Sequence, residues 1–290
     1  MKSTSRPVKH WPFRKRVVYL LASVVIPRTI NFLFNLNVIN KENVFKYPEG
    51  EGVIFCGNHR SHLDAPIAAS VILRPYGPRR FLSLMARMKK GSLTSYLGAF
   101  PVDRDNPNLG LNYAIRSLKE GLAFFLFPQG KRIHKTPFHD YFNLAEQGKT
   151  GIGRIVLLTN GKIPVIPLYM HGTAESLKPG TLIPKFGSYI SINFAEPLLF
   201  EQYTRPEGWS EDDSQFFEVA REISNTIMQK IHLKLLESEK QYLHFLEWKF
   251  NTKLENIQIS DHNERSFKKF LRKIGNIHPK TLEEFLKSKT

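Results

Sequence analysis

His59 and Asp64 are the residues of this 290-residue chain best suited to chemistry, an imidazole and a carboxylate five positions apart in Asn58-His59-Arg60-Ser61-His62-Leu63-Asp64. A carboxylate that accepts a hydrogen bond from one ring nitrogen fixes the tautomer and leaves the other nitrogen free to take a proton. The pair would then be a general base with its orienting group, acting on a hydroxyl or a thiol. On a regular helix, positions i and i+5 point apart around the axis, so a turn has to bring the two side chains together. The flanking sequence supplies one. Gly52-Val53-Ile54-Phe55-Cys56 is a short apolar run closed by Gly57, which predicts a buried strand, and Ala65 to Leu73 predicts a helix. The pair is therefore expected at a strand-to-helix junction.

Such a spacing is weak evidence alone, but three more blocks follow it in order. They are Gly98-Ala99-Phe100-Pro101-Val102-Asp103-Arg104, Phe127-Pro128-Gln129-Gly130-Lys131-Arg132 and Ile163-Pro164-Val165-Ile166-Pro167-Leu168-Tyr169. The ordered set resembles the glycerolipid acyltransferase family, typified by lysophosphatidic acid acyltransferases. That family's blocks run Asn-His-x4-Asp, Gly-x-x-Phe/Pro-x-Asp/Asn-Arg, Phe-Pro-Glu-Gly-Thr-Arg-Ser and a Val-Pro-Val-Ile-Pro-like strand. The resemblance covers roughly residues 50 to 200. It implies acyl transfer from a thioester, carried by coenzyme A or acyl carrier protein, to a hydroxyl, most directly that of 1-acylglycerol 3-phosphate. His59 would be the base and Asp64 its orienter, with no metal and no cofactor. The resemblance puts Asn58, Gly98, Arg104, Gln129, Gly130, Lys131 and Arg132 in the substrate-binding part. Arg104 and the pair Lys131-Arg132 would clamp a phosphate, a guanidinium meeting two oxygens by parallel bonds. Gly98 and Gly130 would let the backbone turn close to the ligand.

The third block departs from the family pattern. Gln129 stands where relatives carry glutamate, Lys131 replaces a hydroxyl and Ile133 takes the last position. Gln129 keeps an acceptor oxygen and loses the charge, so both polar changes make the pocket more positive. They leave the acceptor open among lysophosphatidic acid, another lysolipid and glycerol 3-phosphate. They also motivate a rival, a non-catalytic lipid-binding or membrane-docking relative, although such a protein has no need of an intact His59 and Asp64. His59, His62 and Asp64 lack the further His and carboxylate groups that complete a metal site, so no metal centre is expected.

The bulk charge suits an anionic partner. Lysine and arginine outnumber acids 42 to 26, for a net charge of +16. Nothing in the chain reads as a zinc finger, a ribonucleoprotein aromatic motif or a heptad-plus-basic region, which favours an acidic membrane surface and phosphorylated substrates over nucleic acid. Cys56 is the one cysteine, so an intrachain disulfide is excluded, and its place in an apolar strand reads as core.

Three regions are expected: a basic and apolar leader over 1–45, an α/β domain over 46–205 and a helical extension over 206–290. In the middle region strands and helices alternate, which predicts an α/β fold with a mixed, mostly buried central sheet flanked by helices. Leu122 to Phe127 has no polar face, as befits a central strand covered on both sides. In the leader, apolar stretches Val17–Ile26 and Ile30–Val38 flank Pro27-Arg28, and neither half reaches the ~20 residues of a membrane-spanning helix. They predict an interfacial helical hairpin at the cytoplasmic face of an anionic membrane, the alternative being two helices packed on the domain. Ser210 with Glu211, Asp212 and Asp213 predicts a helix start. Phe216, Val219, Ile223, Ile227, Ile231 and Leu235 then predict an amphipathic helix, to about Phe250, that covers the domain.

Overall fold

The structure is a computed structural model and describes residues 11–47, 50–73, 82–86, 98–101, 107–133, 148–178, 180–203 and 214–250, with isolated positions 281, 285 and 287 near the end. Among the described residues, six α-helices and seven strands build a three-layer α/β/α fold. In chain order they are α1 (Phe13–Leu33), β1 (Asn35–Ile39), β2 (Val53–Gly57), α2 (Asp64–Ile72), β3 (Leu82–Ala86), β4 (Ala99–Pro101) and α3 (Pro107–Lys119). Then follow β5 (Ala123–Leu126), α4 (Gly151–Leu158), β6 (Val165–His171), α5 (Thr173–Ser176), β7 (Tyr189–Phe194) and α6 (Ser214–Phe250).

The seven strands form one sheet in the order β1-β7-β6-β2-β5-β3-β4. Neighbours are parallel except β6 and β7, so the sheet is mixed, as the alternation predicted. Strand β2 sits between β5 and β6 with all five residues buried. Its unbroken apolar run is explained by having protein on both faces: Ile54 and Cys56 enter one core, Val53 and Phe55 the other. One face is covered by α3, α4 and α6, the other by α1 and α2.

The expected amphipathic helix is α6, 37 residues long, and it covers the domain as read: Phe216, Ile223, Ile227, Ile231 and Leu235 are all buried. It lies hard against α4. A side chain on Gly153 would put its Cβ 1.9 Å from the Ala220 carbonyl oxygen, and the Gly153 N–H donates to Ser224 Oγ at 3.2 Å. The region is therefore one wall of the α/β unit as much as an extension. Near the end of the chain, Thr281 Oγ1 donates to the buried Glu239 of α6 at 2.8 Å. The expected helix start at Ser210 lies outside the described residues.

The leader is not a hairpin. Helix α1 runs unbroken through Pro27, which is buried, and packs on α2. The second apolar half then divides. Its first part completes α1, and Asn35–Ile39 leaves as β1, pairing parallel with β7. Asn37 Nδ2 donates to the Tyr189 hydroxyl at 3.1 Å and Asn40 Nδ2 to Asn193 Oδ1 at 2.9 Å, side-chain bonds that no helix packed elsewhere would make. Residues 35–39 thus belong to the sheet rather than to a leader. The single helix that remains has 21 residues and, by length and composition alone, is apolar enough to cross a membrane.

Candidate active site

Strands β6, β2, β5, β3 and β4 all run in one direction, so their carboxyl ends share one edge of the sheet. The Asn58–Asp64 turn leaves β2 at that edge and the Phe127–Arg132 block leaves β5 beside it. Parallel sheets bind ligands at this edge because the turns after neighbouring strands converge there.

His59 is held from four sides. Its Nδ1 lies 2.9 Å from Asp64 Oδ2, and its ring stacks on Phe127 with centroids 3.8 Å apart and planes 8° from parallel. Its backbone N–H donates to Gln129 Oε1 at 2.9 Å, and its carbonyl accepts the Ile133 N–H at 2.8 Å. Asp64 is fully buried at the first residue of α2. Oxygen Oδ2 also accepts the N–H groups of Arg60 at 2.6 Å and Ser61 at 2.7 Å. Those backbone bonds wrap the turn around the carboxylate, which is how residues five apart come to touch. Two of the three donors on Oδ2 are backbone N–H groups, so the oxygen is an acceptor, and the Nδ1–H tautomer completes the set. Nε2 then carries the lone pair. The side chain of His59 is 20% exposed, so the imidazole is open to a ligand while its carboxylate is not.

The other residues expected at the site divide by what they touch. Asn58 is buried, with Nδ2 donating to the Met170 carbonyl at 2.9 Å and Oδ1 accepting the Met170 N–H at 2.7 Å. It ties the end of β2 to β6 and so sets where His59 begins. Gln129 is buried and spends its oxygen on His59; since a backbone N–H only donates, that assignment leaves Nε2 as the other amide atom, buried and unpartnered. Gly130 adopts φ +65°, which favours glycine, and its N–H closes a turn on the Phe127 carbonyl at 2.9 Å. Lys131 is exposed and Arg132 half-buried just beyond it. Gly98, buried with φ +85°, precedes β4, and Arg104 lies outside the described residues.

Ser61 is a turn residue: its hydroxyl donates to the Leu177 carbonyl at 3.4 Å and accepts the Leu63 N–H at 3.3 Å. His62 is exposed, whereas Asp64 is buried. Cys56 lies in the core as read, and burial pushes its thiol up, far from thiolate character.

Two contributors escaped sequence reading. Phe127 was assigned to the strand, yet β5 stops at Leu126 and releases the ring onto His59. Glu175 of α5 lies 3.7 Å from Arg60, linking the turn to the element after β6. The Phe-Pro pair was the available signal for Phe127, because proline ends the ladder that its neighbour would otherwise join. Glu175 had none.

This geometry, a turn-held histidine-carboxylate pair at the carboxyl edge of a parallel α/β sheet, is matched by sequence. Residues 35–171 match the model of the Acyltransferase family. The chain is also 29% identical over 143 residues to 1-acyl-sn-glycerol-3-phosphate acyltransferase of Bacillus subtilis (strain 168). That match takes in 48% of this chain and 64% of the length of the curated relative. Among solved structures, 1-acyl-sn-glycerophosphate (LPA) acyltransferase, PlsC, from Thermotoga maritima superposes with a TM-score of 0.48 at 19% identity, covering 75% of this chain and 80% of that one.

Proposed function

We propose that this protein transfers a fatty acyl group from a thioester to the hydroxyl of a lysophospholipid, 1-acylglycerol 3-phosphate first among them, to give phosphatidic acid. The observation that carries this reading is the His59–Asp64 pair, with Nδ1 engaged at 2.9 Å and Nε2 left to work. In the reaction, Nε2 removes the acceptor hydroxyl's proton as its oxygen attacks the thioester carbonyl. The tetrahedral oxyanion collapses, the carbon–sulfur bond breaks, and the imidazolium returns its proton to the leaving thiolate. Asp64 holds the ring in register and stabilises the imidazolium, a contribution of about 10²–10⁴ in rate. No covalent enzyme intermediate is needed, and Ser61 is tied up in its turn.

The exposed Lys131 and half-buried Arg132 after Gly130 support an anionic acceptor, and Arg104 is assigned to the same clamp by its place in the second block. Asn58 and Gln129 position His59 in this reading. Helix α1, with Phe13, Leu21 and Phe32 exposed on one side and Tyr19 and Ile30 buried on the other, supports attachment to a membrane, where both acyl chains reside. Coenzyme A and acyl carrier protein are both suitable carriers for a surface of this charge.

The test is transfer of a labelled acyl group by purified protein in anionic vesicles, with coenzyme A or acyl carrier protein as donor. A panel of lysophospholipids and glycerol 3-phosphate serves as acceptors. Product from one acceptor, reduced at least ~10³-fold in His59→Ala with folding intact, is the expected result. Full turnover by a well-folded His59→Ala protein would sink the mechanism, and no product from any pairing would sink the reaction.

A further inference from the structure

The loop between α5 and β7, residues 177–188, shows a cluster of large apolar side chains to solvent. Leu182 is 96% exposed, Ile183 77% and Phe186 56%. Single exposed apolar residues are ordinary, but three within five positions at a loop tip are a patch. Lys178 and Lys185 flank it, both exposed, and the loop contains no aspartate or glutamate. Its base is tied down. The Lys185 N–H donates to the Ser176 carbonyl at 2.6 Å, the Gly187 N–H to Leu33 at 2.8 Å, and the Ser188 carbonyl accepts the Asn35 N–H at 3.0 Å. The apolar tip is thus presented by a hydrogen-bonded frame.

Topology sets this patch beside the candidate active site. Strand β7 is antiparallel to β6 and parallel to β1, so the starts of β1 and β7 lie at the same sheet edge as the ends of β2 and β6. The end of α1, with Phe32 89% exposed, the loop and the His59 turn therefore share one rim. Leu177, the loop's first residue, accepts the Ser61 hydroxyl, so loop and turn are bonded to each other.

We propose that residues 177–188 form a second membrane-docking element, separate from α1, that inserts Leu182, Ile183 and Phe186 among the acyl chains of an anionic bilayer while Lys178 and Lys185 meet its phosphates. The charge argues for lipid: an acid-free loop carrying two lysines, on a chain of net charge +16, complements an anionic surface. The proposal deepens the acyltransferase reading and rests on it for its purpose, since docking here sets the bilayer against the rim where His59 works.

Cys56, the one native cysteine, is buried, so a Leu182→Cys full-length protein can be labelled at the loop alone with an environment-sensitive dye. Vesicles of equal parts phosphatidylglycerol and phosphatidylcholine should blue-shift the dye, and phosphatidylcholine alone should not. A Leu182→Asp/Ile183→Asp protein should bind the mixed vesicles at least ~10-fold more weakly. It should turn over monomeric, short-chain substrates at the native rate. Lys178→Gln/Lys185→Gln, which leaves the tip intact, should weaken binding about 10-fold and make it less salt-dependent. An unshifted dye on protein that cosediments with the mixed vesicles would overturn the proposal, as would native vesicle binding by the double aspartate variant. A shift on adding acidic acyl carrier protein without lipid would overturn it in favour of a protein partner. Failure of the native protein on monomeric substrates would instead remove the acyltransferase reading and leave the dye result standing.

Discussion

The His59 turn and the 177–188 loop leave the same edge of the sheet and are built on opposite terms. In the turn, backbone and side-chain polar groups converge on one buried carboxylate oxygen, and the imidazole is fixed by its N–H, its carbonyl, its Nδ1 and its ring face. In the loop, hydrogen bonds tie the base to α1, α5 and β1, and the tip shows leucine, isoleucine and phenylalanine to solvent. The imidazole of the turn is positioned by folding alone, which is what preorganised chemistry requires, because little reorganisation is left for the moment of reaction. The loop is complete only when something apolar covers it. One rim therefore holds a part finished by folding next to a part finished by binding.

The comparison breaks most visibly at Asp64. Asp64→Asn keeps an oxygen for the Arg60 and Ser61 N–H groups and removes the charge that stabilises the imidazolium. Its kcat should fall about 10³–10⁴-fold with little change in KM or melting temperature, measured by steady-state kinetics beside thermal unfolding. A loss of folding instead would mean that the carboxylate serves the turn more than the chemistry.

Asn58 comes next. Asn58→Leu leaves the buried N–H and carbonyl of Met170 without partners, and should cost about 2–4 kcal/mol in denaturant unfolding. An unchanged midpoint would show that β2 and β6 keep their register without the clamp. Gln129 sharpens the contrast with the smallest effect. Gln129→Leu removes the acceptor for the His59 N–H and should lower kcat about 10-fold, and Gln129→Glu, which keeps an oxygen there, should restore most of it. If both variants lose rate equally, the unpartnered Nε2 is the working atom. Across this series the double aspartate loop variant is the reference: a melting temperature within about 2 °C of native, since both positions are largely exposed.

Local pattern carried the strands, the helices and the order of the blocks. Apolar runs without alternation at Val53–Cys56 and Leu122–Phe127 marked central strands, and three- and four-residue spacing marked α6, because these periods depend only on neighbours along the chain. The same locality explains the errors. Asn35–Ile39 became β1 because β7, some 150 residues later, offered an edge, and α1 continues through Pro27, which is buried. Residue identity also marked His59 and Asp64 as a pair with a stated chemistry. Their freedom to act on it was decided in three dimensions: Gln129 reaches His59 across 70 positions, Asn58 reaches Met170 across 112, and Ser61 reaches the docking loop across 116. Bonds over such separations exist only once the sheet has set its strands side by side. The chain by itself determined which residues would work together, and tertiary pairing decided where they meet and what covers them.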